Sequence, residues 1–144
     1  KPILVPGNGA THIQFLHVED LANAILLSIS HAPDLVSVYN VASQETISQI
    51  DWVTLLCEVA SGSSKNVILE NGRARSFRAR QYFQFRDYPC LAAPGLIRTK
   101  LGFREKYDLR GGFEQTWGTV DQEMLKSRDV SSEAEIAALG KVTQ

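Results

Sequence analysis

The sequence predicts an α/β fold with a few short strands and three to five helices. Three observations carry that prediction. Short β-branched runs recur at Pro2–Val5, Val36–Val41 and Asn66–Glu70. Apolar segments of helical length lie between them, at Asp20–His31 and Gln49–Ala60. Glycine and proline punctuate the joins. Strands alternating with helices define the class.

Pro2–Val5 reads as a short strand, broken by Pro6-Gly7-Asn8-Gly9, since Gly and Asn tolerate positive φ. Gln14–Val18 resumes an extended pattern. Asp20–His31 reads as a helix with Glu19 and Asp20 at its positive end. Its apolar residues, Leu21, Ala22, Ala24, Ile25, Leu26, Leu27 and Ile29, cover more than one stripe, and such a helix is buried on most sides. Pro33-Asp34 stops it. Val36–Val41 is an expected strand. Ser48-Gln49-Ile50-Asp51 resembles a capping box and opens a helix to about Ala60, stopped by Gly62. Asn66–Glu70 is a further strand, whereas residues 71–90 show no period. Pro94 suits the first turn of a short helix ending at Gly102. Asp108 caps an expected helix from Leu109 to about Leu125, and Ser132 with Glu135 marks a last short one to Leu139. Residues 1–126 form the expected domain, and 127–144 a polar tail.

A chain of 144 residues is long enough to bury roughly 68–70% of its unfolded surface. Yet three or four scattered strands do not make a self-contained doubly wound sheet. With the over-apolar helix at 20–31, this predicts that a partner surface is missing. A homodimer covering the same helix is the alternative.

No apolar run reaches the roughly 18 residues of a membrane span. Cys57 and Cys90 are expected as buried thiols of a reducing compartment, the cytoplasm or a plastid stroma. Histidines His12, His17 and His31 do not fall at ligand spacing, so no metal site is expected. The net charge of −1 conceals a segregation: −5 over residues 1–70, +7 over 71–104 and −3 over 105–144.

Three stretches resemble extended short-chain dehydrogenases/reductases of the NAD-dependent epimerase/dehydratase family. They are Pro2-Ile3 with Gly7-Asn8-Gly9 and then Phe15-Leu16-His17-Val18-Glu19-Asp20; Val38-Tyr39-Asn40-Val41; and Thr99-Lys100-Leu101-Gly102-Phe103 with Leu109-Arg110-Gly111-Gly112-Phe113. Their order and spacing over residues 2–117 match the family's C-terminal, substrate-side region. Phe83-Gln84-Phe85-Arg86-Asp87, with Tyr107-Asp108-Leu109, is similar to the chloroplast stem-loop-binding members of that superfamily.

The resemblance implies a Rossmann-fold parent that binds NAD(P), with the cofactor turn and catalytic tyrosine upstream of the matched region. Gly7-Asn8-Gly9 lacks the third glycine of a dinucleotide fingerprint. Tyr39, Tyr82, Tyr88 and Tyr107 all lack a lysine four residues on, the spacing that would lower a phenol pKa for proton transfer. No catalytic residue and no bound cofactor are therefore expected of this chain alone.

What the resemblance leaves to this region is a substrate pocket, with Gln14, His17 and Arg86 as candidates. A basic residue four positions before the histidine commonly holds a diphosphate in the family. Here that position is Ile13, which argues against a nucleotide-sugar substrate. Arg86 can bind an anion in bidentate fashion. His17 and Asp20 either edge the pocket or serve structure, as a hydrogen-bonded histidine and a helix cap.

The second reading is RNA binding. Arg73, Arg75, Arg78, Arg80 and Arg86 interleave with Phe77, Tyr82, Phe83, Phe85 and Tyr88. Arginines that follow a backbone and aromatics that stack on bases hold single strands in this way. The same alternation also describes a half-buried strand. The expected partners are thus a missing Rossmann domain or a second copy of the chain, a small molecule with a nucleotide sugar among the candidates, and RNA in the second reading.

Overall fold

The computed structural model describes residues 3–31, 36–70 and 88–120. Strand β1 (Ile3–Pro6) pairs in parallel with β4 (Val67–Glu70), Ile3 opposite Val67 and Pro6 opposite Glu70. Strands β2 (His12–Ile13) and β3 (Ile47–Ser48) form a second, antiparallel pair. Helices α1 (Val18–Ser30), α2 (Gln49–Ser61), α3 (Gly95–Leu101) and α4 (Leu109–Thr119) complete the described elements.

α2 forms where its caps dictate. Ser48 is extended (φ −69°, ψ 155°), and its Oγ accepts from the Asp51 N–H at 3.1 Å. The same hydroxyl donates to Asp51 Oδ2 at 2.6 Å, which makes the cap reciprocal. Gly62 ends the helix in the left-handed region (φ 70°), where its N–H reaches the Glu58 carbonyl at 2.8 Å. Val53 and Cys57, one turn apart, turn inward onto Val5. Ile50, Trp52, Val67 and Leu69 close this first core against the parallel pair.

The Gly7–Gly9 turn is packed against the start of α2. The Gly9 carbonyl accepts from Ile50 N at 3.0 Å, and the Thr11 carbonyl from Gln49 N at 2.9 Å. With Ser48 on Asp51, the first three N–H groups of α2 are satisfied by the chain itself. Gly9 has φ 64°, and a Cβ there would sit 2.7 Å from Ile50 Cβ. Gly9→Ala therefore combines a left-handed backbone with a clash and is expected to cost about 2 kcal/mol. A urea unfolding midpoint unchanged in that variant would contradict the packing described.

The second core joins α1 to α3 and the loop after it. Ala24, Ile97, Leu101 and Phe103 are buried there, with Leu16, Leu27, Tyr39 and Val41 packed around them. α3 starts one residue after Pro94 and stops at Gly102 (φ 67°).

Several expectations are corrected. α1 starts at Val18, two residues early, because His17 caps it. Residues 36–41 form no strand, since no described strand lies beside them to complete a ladder. Tyr39 and Val41 face the second core, while Val36 (98% exposed) and Val38 (80%) face outward. α4 stops at Thr119 rather than near Leu125: Gly118, then β-branched Thr119 and Val120, disfavour another turn, and Val120 is extended (φ −74°, ψ 130°). Cys57 is buried, and burial pushes its thiol pKa up, but Cys90 is exposed in the irregular run after Pro89. The polar tail with its expected helix lies outside the described residues, as does the segment from Asn71 to Asp87.

Candidate functional site

The segment Phe15–Val18 crosses between the two cores and carries the family-like histidine. Phe15 stacks on Trp52 with ring centroids 5.3 Å apart and meets Phe113 of α4 edge-on at 5.4 Å. His17 divides its two ring nitrogens. Nδ1 accepts from the Glu19 N–H at 3.3 Å, and Nε2 lies 2.9 Å from Gln115 Oε1. An Nδ1 that accepts and an Nε2–H that donates describe one neutral tautomer. The imidazole thus caps α1 and ties it to α4, while its face lies against Tyr107 at 4.1 Å.

Asp20 performs a task that no local pattern announces. It is 2% exposed and sits in the first turn of α1, where the helix dipole favours a carboxylate. Its Oδ1 accepts from Lys106 N at 2.8 Å and its Oδ2 from Tyr107 N at 3.3 Å. Other carboxylates complete the hold on this loop. Glu45 accepts from Leu109 N at 3.1 Å, Asp108 from Gly111 N at 2.7 Å, and Glu105 accepts from Gln44 N at 3.1 Å. Glu105 also pairs with Arg98, which lies over the Phe103 ring. Burial, with a smaller push from Arg104, lowers the Arg98 pKa from its usual value.

Between Phe15–Val18, the 105–109 loop and α4 lies a cleft of about 250 Å³. Phe15, His17, Tyr107, Phe113 and Thr116 form its walls. Its polar rim is already engaged: Thr116 Oγ1 donates to the Gly112 carbonyl at 2.8 Å, and Ser43 Oγ accepts from Glu45 N at 3.0 Å. Two cations among the described residues near it are engaged too. Lys106 pairs with Glu19 at 2.9 Å, and Arg110 with Glu58 at 2.9 Å. Among the described residues, the walls suit an apolar or flat ring.

Glu19 accepts from both Lys106 Nζ (2.9 Å) and the Tyr107 hydroxyl (3.0 Å). These bonds hold its carboxyl below the usual carboxylate range, the lysine contributing most. A depressed folded pKa stabilises the fold above the ordinary carboxylate pKa, and that share is lost as pH falls through the folded value. Glu19→Gln is expected to flatten the acid-side fall in stability between about pH 5 and pH 3, read from thermal midpoints across that window. The effect is small, because the group is exposed.

The other candidates fall in different places. The Gln14 amide bridges backbone 29 and 78 residues further along the chain: Nε2 donates to the carbonyls of Ser43 and Ala92, and Oε1 accepts from Ala92 N at 2.9 Å. Ile13 is buried in the β2–β3 pair, so it offers a diphosphate nothing. Arg86, Arg73, Arg75, Arg78, Arg80, Phe83 and Phe85 lie outside the described residues. Among the described residues, no three His, Cys, Asp or Glu side chains gather as metal ligands would, and no helix is long and apolar enough to cross a membrane. Sequence reading missed Tyr107, Phe113 and Thr116 as cleft walls. The one available signal was the Tyr107-Asp108-Leu109 match, which carries no information about what lies opposite.

No family model matches the chain. A curated relative, the chloroplast stem-loop binding protein of 41 kDa b from Arabidopsis thaliana, is 26% identical over 118 residues, which is 81% of this chain and 31% of the relative. Among solved structures, dTDP-glucose 4,6-dehydratase from Bacillus anthracis in complex with NAD superposes with a TM-score of 0.63 at 18% identity, over 82% of this chain and 34% of that one. UDP-glucuronic acid 4-epimerase from Bacillus cereus, with UDP-glucuronic acid and NAD, gives 0.62 at 18% identity over the same shares. UDP-glucose 4-epimerase from Bifidobacterium longum, with NAD+ and UDP, gives 0.60 at 19% identity, over 81% and 34%. The chain spans about a third of the length of each of these proteins. Its fold is that of about a third of these NAD-bound dehydratase and epimerase structures.

Proposed function

We propose that this chain is the substrate-side portion of a longer NAD(P)-dependent epimerase/dehydratase-like protein and is not catalytic alone. The observation that carries the reading is the shared fold: four-fifths of this chain superposes on a third of several NAD-bound enzymes. Sequence features agree, since the dinucleotide turn and a Tyr–Lys pair at catalytic spacing are not in the 144 residues. NAD(P), when bound to the parent, would supply hydride transfer. This chain would supply pocket walls, with His17 at the cleft and Arg86 as the anion partner. Gln14 takes part by holding the pocket loops together.

Ile13 and the engaged cations leave Arg86 as the phosphate-binding candidate. The test is turnover of a panel of nucleotide sugars by the full-length parent with NAD+. Arg86→Ala is expected to raise KM at least tenfold with a smaller change in kcat, because a ground-state anion contact is removed. An unchanged KM, or turnover of none of the sugars, would count against the reading.

A second reading has support of its own: the curated relative is named for stem-loop binding, and the Arg/aromatic segment 73–86 suits a single strand. If about five arginines met phosphates, affinity would fall with a log–log salt slope of about −3.5. Absence of stem-loop binding at low salt would remove it.

A further inference from the structure

We propose that the cleft between Phe15–Val18, the 105–109 loop and α4 binds a planar organic cation: a small ring bearing an amidinium or guanidinium charge. The inference goes beyond the enzyme reading and does not rest on it, because the ligand is assigned from the walls alone. The volume of about 250 Å³ lies just under the roughly 300–1,000 Å³ of small-molecule sites. It admits one ring with a short substituent, not a dinucleotide.

The walls are aromatic, and their side-chain donors are spent. The Tyr107 hydroxyl donates to Glu19 at 3.0 Å, Thr116 Oγ1 to the Gly112 carbonyl at 2.8 Å, and His17 Nε2 to Gln115 Oε1 at 2.9 Å. Ser43, 8% exposed, is the one lining hydroxyl whose proton has no acceptor among the described residues. Acceptors, by contrast, are left over. Asp108 uses Oδ1 on Gly111 N, and Glu105 uses Oε1 on Gln44 N and Arg98. The second oxygen of each takes no bond from a described residue. Thr116 Oγ1 keeps its lone pairs as well. A ligand that satisfies these groups has to donate.

Charge points the same way. Asp108 and Glu105 line the cleft, and no Lys or Arg among the described residues does. Glu105 has Arg98 as its counter-ion, whereas Asp108 has only the N-terminus of α4. Lys106 and Arg110, which flank the lining residues in sequence, are held by Glu19 and Glu58 and do not enter. A cation in the cleft would meet Asp108 together with the rings of Phe15, Tyr107 and Phe113, whose faces attract positive charge. Planarity follows from the same walls: a flat amidinium lies along a ring and still aims N–H groups at a carboxylate. An anion of equal size would face the carboxylate that lacks a counter-ion.

Benzamidine, benzamide and benzoate share one shape and carry three different charges, so they separate charge from fit. Each is titrated into the isotope-labelled 144-residue chain at neutral pH, and amide shifts are followed by NMR. Benzamidine is expected to shift the Tyr107, Gly112 and Thr116 amides saturably, with a Kd of about 1 mM or tighter, as befits a fragment-sized ligand. Benzamide should bind about fivefold more weakly and benzoate not at all. Asp108→Asn removes the charge but keeps a favoured cap, so α4 stays formed. It should weaken benzamidine about threefold or more and leave benzamide unchanged. Equal binding of benzamidine and benzamide, shifts confined to residues away from the cleft, or no shift at about 10 mM would each overturn the proposal. An unchanged benzamidine Kd in Asp108→Asn would overturn it too. The readout is binding by this chain, so the result is independent of whether the longer protein turns over a nucleotide sugar.

Discussion

Phe103→Ala is expected to remove about 3–5 kcal/mol of stability, the range for truncating a buried aromatic. The ring is fully buried at the centre of the second core, among Ala24, Ile97 and Leu101. These neighbours belong to two helices, α1 and α3. The Arg98 guanidinium would also lose the ring beneath it. Urea unfolding of the wild type and the variant measures the effect. Phe103→Leu separates the causes: it keeps most of the volume and should recover more than half of the loss. A Phe103→Ala cost below about 1 kcal/mol would mean that this core is not the one described.

Asp20→Ala comes next, at about 3 kcal/mol. Two backbone N–H groups, of Lys106 and Tyr107, lose a charged acceptor, and hydrogen bonds to charged groups are worth about 1.5–3 kcal/mol each. The first turn of α1 loses a favourable charge as well. Asp20→Asn offers one acceptor and turns an NH₂ toward the other donor, so it should cost about half as much. Hydrogen exchange gives a local readout. In both variants the Lys106 and Tyr107 amides should exchange faster, while the amides of β1 and β4 keep their relative protection. Uniform acceleration across the chain would instead assign Asp20 to global stability only.

The two residues show what could be read from sequence and what could not. Capping chemistry is local, and it fixed α2 from Ser48 to Gly62 and the start of α4 at Asp108 with little error. Asp20 was legible as an acidic residue at a helix start. Its partners lie 86 and 87 residues away, and no local pattern reports them. His17 caps α1 although histidine is not a favoured cap, so the local pattern points to the acidic residues that follow it. The run 36–41 reads as a strand because its residues suit one. A strand also needs a neighbour, and pairing is a property of the assembly rather than of the segment. The apolar excess of α1 was visible in composition, and the structure locates it on the outward side of the helix.

The cleft was the least legible feature. Phe15, Tyr107, Phe113 and Thr116 come from separate stretches, and only tertiary packing sets them around one space. Gln14 was chosen as a substrate contact for its place in the motif. Its amide spans Ser43 and Ala92, so its bearing on a pocket runs through the loops it holds.

On the proposed reading, these 144 residues hold one part of an NAD(P)-dependent fold and the cofactor is held by the remaining part. Calorimetric titration of NAD+ into the chain and into the full-length parent addresses it most directly. Saturable one-to-one binding by the parent, with no binding heat from the chain, is the predicted pair of results. Stoichiometric NAD+ binding by the 144-residue chain alone would contradict it.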